Sequence, residues 1–177
     1  MSFEQLLAGW RARYVASVSD GEPEPVPDED VDGKPVSCVF CRIVASTEPD
    51  ENRHVVWSGA QTIVLLNAYP YASGHLLVMP RRHLGELEEL DASESVELWE
   101  AARDAARALK AAYGPDGLNL GANLGRAGGA GIPAHLHLHV MPRWIGDTNF
   151  MTTVASVRVM PEALADSWSR LRAAWPS

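Results

Sequence analysis

Three histidines alternate with apolar residues in the run His135-Leu136-His137-Leu138-His139. Successive side chains of an extended strand point to opposite faces, so the imidazoles would share one face while the leucines pack into a core. A lone histidine is usually an ordinary structural residue. Three of the chain's six histidines at a strict spacing of two are difficult to assign to packing alone. We therefore expect this strand to carry chemistry.

Aligned imidazoles suit two kinds of chemistry. A neutral imidazole is a common zinc ligand, and it can also act as a nucleophile toward phosphorus when neighbouring groups orient the ring. One catalytic zinc held by all three histidines is disfavoured, because alternate residues on a strand lie about 6.6–6.8 Å apart. The glycine-rich stretch 125–131 just upstream could donate backbone N–H groups to phosphate oxygens. The run therefore favours attack on a phosphate.

The only two cysteines, Cys38 and Cys41, have a spacing that is common in zinc sites. Two thiolates supply half of a tetrahedral site, so two more ligands would have to come from elsewhere. A redox pair and two plain core thiols are the alternative interpretations. A secreted disulfide scaffold would contain more cysteines, spaced more widely.

Length and charge limit the classes of function. The 177 residues, 46% of them hydrophobic, suit one domain with a full core. A formal charge of -8 argues against a sequence-independent grip on nucleic acid, which needs a basic face. No apolar stretch approaches the roughly 20 residues of a membrane span. We expect no signal peptide, because the first residues lack a long apolar core. We expect a cytoplasmic protein that contacts neither nucleic acid nor membrane.

The elements that must position these residues are mostly strands in hairpin-like connections. A long helix should begin at the N-cap Asp91 and run to about Ala112, and a last helix should start at Pro161. Strands are predicted over 54–57, 62–66, 75–79, 118–123 and 135–141, with another candidate over 154–159. The order of elements predicts an α+β domain over 37–177 with a mostly antiparallel sheet. Residues 1–36 form an extension, with a helix over 3–17 and a proline-rich linker over 19–37.

The histidine run, together with upstream segments in the same order, resembles the histidine triad (HIT) family of nucleotide hydrolases and transferases. The resemblance covers about residues 37–145 and includes Asn67, the segment 74–80, His83 and the glycine loop. The N-terminal arm and the tail 142–150 are similar to the diadenosine tetraphosphate phosphorylase-like branch found in actinobacteria. The resemblance implies a HIT-like fold with a five-stranded sheet and a long helix, and a homodimer formed through the helix and a sheet edge.

The resemblance also implies roles for individual residues. His137 would be the nucleophile, His139 would donate a hydrogen bond to the phosphate or leaving oxygen, and His75 would support the triad from behind. The implied nucleotide contacts are Asn67 for the ribose, Leu66 beside the base, and Asn123, Gly129 and Gly131 for the phosphates. The implied metal site is a structural zinc ion held by Cys38, Cys41, His83 and His135.

The expected substrate is an adenine nucleotide or dinucleoside polyphosphate, cleaved by phosphorolysis or hydrolysis through an adenylyl-histidine. One departure affects the choice of leaving group. Many family members carry a glutamine and a serine or threonine in the loop before the triad, and here that stretch is Ala130-Gly131-Ile132-Pro133. Cleavage of P–N bonds as an adenosine phosphoramidase, and nucleotide binding without turnover, are the alternative functions.

Overall fold

The computed structural model describes residues 38–147 and 162–176. The predicted helix over 3–17, the linker over 19–37, the domain boundary at 36/37 and the candidate strand over 154–159 lie outside these ranges. In chain order the described elements are α1 (Val39–Ala45), α2 (Asp50–Arg53), β1 (Val55–Ser58), β2 (Thr62–Leu66), β3 (Leu76–Pro80), a 3-10 turn (Leu87–Glu89), α3 (Ala92–Tyr113), β4 (Gly117–Ala122), β5 (Leu138–Arg143) and α4 (Leu164–Ala174).

The five described strands form one sheet in the order β1-β2-β3-β5-β4, and every neighbouring pair is antiparallel. This topology confirms the predicted α+β fold. The last of the described strands, β5, is inserted between β3 and β4 and therefore has a hydrogen-bonded neighbour on each side. The triad strand therefore lies inside the sheet, where both partners fix its register.

Helix α3 begins and ends where the sequence predicts. Asp91 accepts a hydrogen bond from the backbone N–H of Glu94, and the Glu94 carboxylate accepts one from the backbone N–H of Asp91. This capping box satisfies backbone donors at the helix start, and Gly114 ends the helix in the left-handed region at φ 54°. The fully buried side of the helix packs against the sheet through Leu98, Ala102, Ala105, Ala108 and Leu109. In the described part of the chain, no helix combines the length and apolar character of a membrane span.

The two faces of the sheet are covered by different elements. Val78, Leu138 and Val140 belong to the core beneath α3 and α4. On the opposite face, Leu65 and Leu77 pack with residues of α1. His139 is paired with Leu77 across the β3–β5 ladder, which places its side chain on the α1 face. The alternation predicted from the sequence thus separates the leucines from the histidines.

Strand β5 starts three residues later than the sequence predicts. The ladder begins at Leu138, whereas His135 to His137 lie outside it. The backbone N–H of Leu136 donates to the Leu84 carbonyl at 2.7 Å, beyond the end of β3. Strand β3 itself continues to Pro80 in its pairing with β2, so the end of β3 is not the reason. The Pro80 carbonyl instead accepts a hydrogen bond from the His135 side chain, in place of a backbone donor from β5.

Helix α4 covers the outer edge of β1. Trp168 Nε1 donates to the Val55 carbonyl at 2.8 Å, and Arg172 Nη1 donates to the Val56 carbonyl at 2.6 Å. These two side chains satisfy backbone acceptors that have no partner strand on that side. The helix thereby ties the end of the described chain to the first strand.

Candidate functional site

Two cysteines and two histidines converge at the end of β3. The ligand atoms of Cys38, Cys41, His83 and His135 all lie within 4.8 Å of one another. Cys38 Sγ is 3.4 Å from His135 Nδ1, and Cys41 Sγ is 3.2 Å from His83 Nδ1 and 3.6 Å from His135 Nδ1. Residues separated by up to 97 positions thus form one set of soft and borderline donors that could hold a metal ion.

The ring of His135 is oriented by its second nitrogen. Nε2 lies 2.9 Å from the Pro80 carbonyl, which can only accept, so Nε2 carries the proton. The neutral ring then has its lone pair on Nδ1, which faces both thiols. Burial lowers the pKa of His135 to about 4, which favours this neutral form. The arrangement matches the usual support of a metal-binding histidine by a backbone carbonyl.

The same argument gives His137 the opposite tautomer. Its Nδ1 lies 2.7 Å from the His135 carbonyl, so Nδ1 is the donor and the lone pair is on Nε2. The ring is buried, and burial lowers its pKa, which keeps it neutral at pH 7. Phe40 of α1 packs 5.2 Å from it, centroid to centroid. A neutral, oriented imidazole with an available Nε2 lone pair is competent for nucleophilic attack.

His139 instead presents a donor. The backbone N–H of Tyr71 donates to His75 Nδ1 at 3.1 Å, so neutral His75 carries its proton on Nε2. That Nε2 is 2.9 Å from His139 Nδ1, which therefore accepts, and the proton of His139 is left on its own Nε2. His139 Nε2 is buried and has no hydrogen-bond partner among the described residues. The ring lies 5.0 Å from that of His137, so a lone pair and an N–H donor are adjacent.

Burial sets the charge of this donor. Desolvation, assisted by the neighbouring His137, lowers the pKa of His139 to about 4. The imidazole is therefore neutral at pH 7, and it can donate a hydrogen bond from Nε2 without carrying a positive charge.

Two of the predicted nucleotide contacts lie on β2 and in the turn after it, and only one of them, Asn67, lies beside the histidines. Asn67 lies close to the histidines, since its Nδ2 is 3.4 Å from His75 Nδ1, while its Oδ1 accepts from the backbone N–H of Tyr69. Leu66 is a correction to the sequence analysis. It is only 1% exposed and packs in the core beneath α3, on the face opposite His139. The side chain that shares the histidine face is its neighbour Leu65.

The loop between β4 and β5 is a compact turn. The backbone N–H groups of Gly129 and Ala130 donate to carbonyls of residues 126 and 125, and Asn123 Nδ2 contacts the Gly129 carbonyl at 3.5 Å. Gly129 has φ 89°, a conformation that favours glycine. A Cβ added at Gly128 would collide with the Leu124 carbonyl. Gly131 follows in a bend that leads to His135. The side chain of Asn123 therefore helps to close this turn.

Sequence reasoning missed two aromatic residues beside the triad. Phe40 contacts both His135 and His137, at centroid distances of 5.4 and 5.2 Å. Tyr71 contacts His75 and His139, at 4.8 and 6.0 Å. Phe40 lies between the two cysteines, a position that could have indicated it. Tyr71 lies in a turn four residues before His75, and only the folded turn brings its ring onto the triad.

Comparison with known proteins agrees with this geometry. The HIT domain model matches residues 48–144, more than half of the chain. The chain is 43% identical over 126 residues to the AP-4-A phosphorylase of Mycobacterium tuberculosis. That match covers 71% of this chain and 65% of the relative, so about a third of the relative has no counterpart in it.

Solved structures show the same relationship. A Zn-bound histidine triad family protein from Mycobacterium smegmatis superposes with a TM-score of 0.63 and 31% identity, over 78% of this chain and 92% of that one. A hypothetical histidine triad nucleotide-binding protein from Sulfolobus tokodaii gives a TM-score of 0.61 and 29% identity, over 77% and 91%. With its antiparallel sheet, its alternating histidines and this match to more than half of its length, the chain belongs to the HIT domain family.

Proposed function

We propose that the protein transfers the adenylyl group of an adenosine-containing phosphoanhydride, with diadenosine tetraphosphate as substrate and inorganic phosphate or water as acceptor. One observation carries the proposal. The hydrogen bonds at Nδ1 give His137 a lone pair on Nε2 and give His139 a proton on Nε2, with the two rings side by side. Attack on phosphorus needs a nucleophilic lone pair and, beside it, a hydrogen-bond donor for the oxygen on which charge develops.

The first step forms a bond between His137 Nε2 and the α-phosphorus of one adenosine. The bond from that phosphorus to the bridging oxygen breaks, and ATP departs with the electron pair. His139 Nε2–H donates a hydrogen bond to the oxygen on which charge develops. The His137 ring becomes cationic, and its Nδ1–H remains bonded to the His135 carbonyl. A carbonyl acceptor at Nδ1 stabilises that cation.

In the second step the acceptor attacks the phosphorus from the solvent side. The N–P bond breaks and returns the electron pair to His137. Phosphate as acceptor gives ADP, whereas water gives AMP. The similarity to a protein named AP-4-A phosphorylase supports phosphate as the acceptor. Residues 130–133 offer no hydroxyl or amide side chain, the Ala130 N–H donates to the Gly125 carbonyl, and Pro133 has no N–H. The backbone N–H groups of Gly131 and Ile132 would therefore have to hold the phosphates there.

Product analysis tests this function. Incubation with diadenosine tetraphosphate and phosphate is expected to give equal amounts of ATP and ADP, and acid-sensitive adenylyl-protein should be trapped by rapid quenching. The His137→Gly variant should lose turnover by on the order of 10⁴-fold or more and form no adenylyl-protein, because the nucleophile is gone. Tyr69→Phe, a substitution on an exposed ring, is the matched control and should retain full turnover.

Other outcomes would select the alternatives. AMP in place of ADP, with phosphate present, would make water the acceptor. Turnover of an adenosine phosphoramidate without turnover of the dinucleotide would identify a phosphoramidase. Tight AMP binding without any trapped intermediate would identify a nucleotide-binding module. Full turnover by His137→Gly would refute the mechanism.

We further propose that the Cys38, Cys41, His83 and His135 site binds a structural zinc ion. A tetrahedral zinc with Zn–S of about 2.3 Å and Zn–N of about 2.0 Å separates sulfur from nitrogen by about 3.5 Å. The sulfur–nitrogen distances of 3.2, 3.4 and 3.6 Å fit that geometry. Four protein ligands would close the site to water, which gives the ion a structural role. Zinc far below one ion per purified chain would contradict this.

The remaining expectations concern the whole protein. We expect a homodimer in the cytoplasm, with β4 as a candidate contact because it is an edge strand and Leu120 on it is 44% exposed. Sedimentation velocity would test the oligomeric state, and a purely monomeric protein at micromolar concentration would contradict it.

A further inference from the structure

We propose that Tyr71 is a positioning residue for His139, whose ring it holds so that the Nε2–H faces the reacting phosphate. The proposal deepens the function proposed above and rests on it for the role of the donor. Its structural part, the orientation of His139, can be tested without any substrate.

The ring of Tyr71 lies against both members of a hydrogen-bonded histidine pair. It stacks on His139 with a centroid distance of 6.0 Å and an interplanar angle of 22°, and it is tilted by 45° on His75 at 4.8 Å. The two histidines are joined by the 2.9 Å bond from His75 Nε2 to His139 Nδ1. One aromatic ring therefore contacts both members of the pair.

His139 needs this support because hydrogen bonds hold only one end of its ring. Its Nδ1 is bonded to His75, while its Nε2 is buried without a partner among the described residues. The ring of His137 contacts it at 73°, edge to face, and Tyr71 covers it nearly in parallel. Removing the Tyr71 ring would leave that side of the imidazole open to rotation and to water.

The backbone of the same residue acts on the same pair. The Tyr71 N–H donates to His75 Nδ1, and this bond sets the tautomer that His75 passes on to His139. The His75 N–H in turn donates to the Ala72 carbonyl at 3.2 Å, which closes the turn. Packing of the ring therefore keeps the turn in the conformation in which the backbone donor reaches His75.

Three substitutions separate these contributions. Tyr71→Phe keeps the ring and should stay within about twofold of the wild type in kcat. Tyr71→Ala removes the ring and should lower kcat on the order of 10- to 100-fold, because a shift of about 1 Å in a catalytic group has effects of that size, with KM changing by less than about threefold. Tyr69→Ala removes a ring that is 85% exposed in the same turn and should match the wild type.

A second substrate distinguishes positioning from general damage. An adenosine 4-nitrophenyl phosphodiester releases nitrophenolate, which needs little help from a hydrogen-bond donor. Tyr71→Ala should therefore lose less turnover on this substrate than on diadenosine tetraphosphate. Equal losses on both substrates would indicate a structural defect and would overturn the proposal.

Imidazole ¹⁵N spectra of the free protein give a readout that is independent of turnover. In the wild type and in Tyr71→Phe, His139 should be a single tautomer with its proton on Nε2, whereas Tyr71→Ala should show exchange between tautomers. An unchanged tautomer together with unchanged kcat in Tyr71→Ala would refute the proposal.

If the wild type turns over no dinucleotide, the proposed function fails while the spectra still decide the role of Tyr71. Tyr71→Leu, which keeps apolar volume without a planar face, replaces Tyr71→Ala where the latter does not fold.

Discussion

His137 and His139 have different hydrogen-bonding roles because different atoms meet their Nδ1 positions. A backbone carbonyl at Nδ1 makes His137 a donor there and leaves the lone pair on Nε2. A protonated imidazole nitrogen at Nδ1 makes His139 an acceptor there and leaves the proton on Nε2. Neither role depends on a carboxylate beside the rings: a backbone carbonyl sets His137, whereas His75, whose own tautomer is set by the Tyr71 backbone N–H, sets His139.

The depressed pKa of His139 predicts a loss of stability in mild acid. Burial lowers this pKa to about 4, against an ordinary value of 6.5. Between pH 6.5 and 4 the unfolded chain therefore binds a proton that the folded chain excludes, so the free energy of unfolding falls as pH falls through this window. The slope of the free energy of unfolding against pH should stay below the limit of about 1.4 kcal/mol per pH unit for one full proton, because the ring is partly exposed and solvent screens it. Urea unfolding at a series of pH values measures this slope.

The control isolates this one histidine. The groups that face His139 are His75, His137 and Tyr71. In His139→Gln those neighbours remain and the titrating ring is absent, so the slope of unfolding free energy against pH should be smaller than in the wild type. Identical slopes in the two proteins would show that His139 contributes nothing to acid unfolding.

At the scale of elements, the histidine run contributes side chains to two separate clusters because only its second half lies in strand β5. From Leu138 onward, β5 is held by β3 and β4, which fixes His139. Before Leu138, the chain leaves the ladder, and His135 reaches the thiols of Cys38 and Cys41. A strict strand would have held all three imidazoles in one row above the sheet.

The edge of β1 provides a test at this scale. Trp168→Phe removes the indole N–H that donates to the Val55 carbonyl, while it keeps most of the apolar contact. Val55 is fully buried, so its carbonyl would lose its partner in a place with little access to water. We expect a loss of about 1–3 kcal/mol in the free energy of unfolding, measured by chemical denaturation.

The matched control lies one residue further along the same helix. Ser169 is exposed, and Ser169→Ala should change the free energy of unfolding by less than about 0.5 kcal/mol. An equal effect of the two substitutions would mean that the bond to Val55 does not stabilise the edge.

At the scale of the whole molecule, the features that could be predicted from the sequence are those that depend on neighbouring residues in the chain. The N-cap at Asp91, the end of the long helix near Ala112 and the alternation around Leu138 depend on neighbours within a few residues, and the structure confirms all three. The spacing of Cys38 and Cys41 suggests a metal site, but that His83 and His135 join them could be anticipated only from the resemblance to a family, since these two lie far away along the chain.

Features that depend on packing between distant segments could not be predicted from the sequence. The start of β5 at Leu138 depends on the hydrogen bonds that His135 and Leu136 make to the Pro80 and Leu84 carbonyls, and the contact of Tyr71 depends on how its turn folds back. The expectation for Leu66 followed from its position next to Asn67. The two-residue period of β2 instead turns Leu66 toward α3 and its neighbour Leu65 toward the histidine face.

The cluster of Cys38, Cys41, His83 and His135 brings distant parts of the described chain together. It joins the beginning of α1, the segment after β3 and the segment before β5. The carbonyl of His135 also accepts the Nδ1–H of His137. If the site holds zinc as proposed, the ion both links these segments and fixes the nucleophile.

Removal of the metal should therefore affect stability and catalysis together. Chelation is expected to lower the Tm by several degrees, since a link between distant segments is lost, and to lower kcat more than it raises KM, since the His135 carbonyl would no longer hold His137. Cys41→Ser should reproduce both effects and reduce bound zinc well below one ion per chain.

His54→Asn is the control: His54 has φ 58°, which asparagine tolerates, and its side chain bonds only locally to the Glu51 carbonyl. Full zinc content, Tm and kcat in His54→Asn, with all three reduced in Cys41→Ser, would support the link between metal and nucleophile. A chelated protein with reduced Tm and unchanged kcat would show that the ion stabilises the fold without positioning His137.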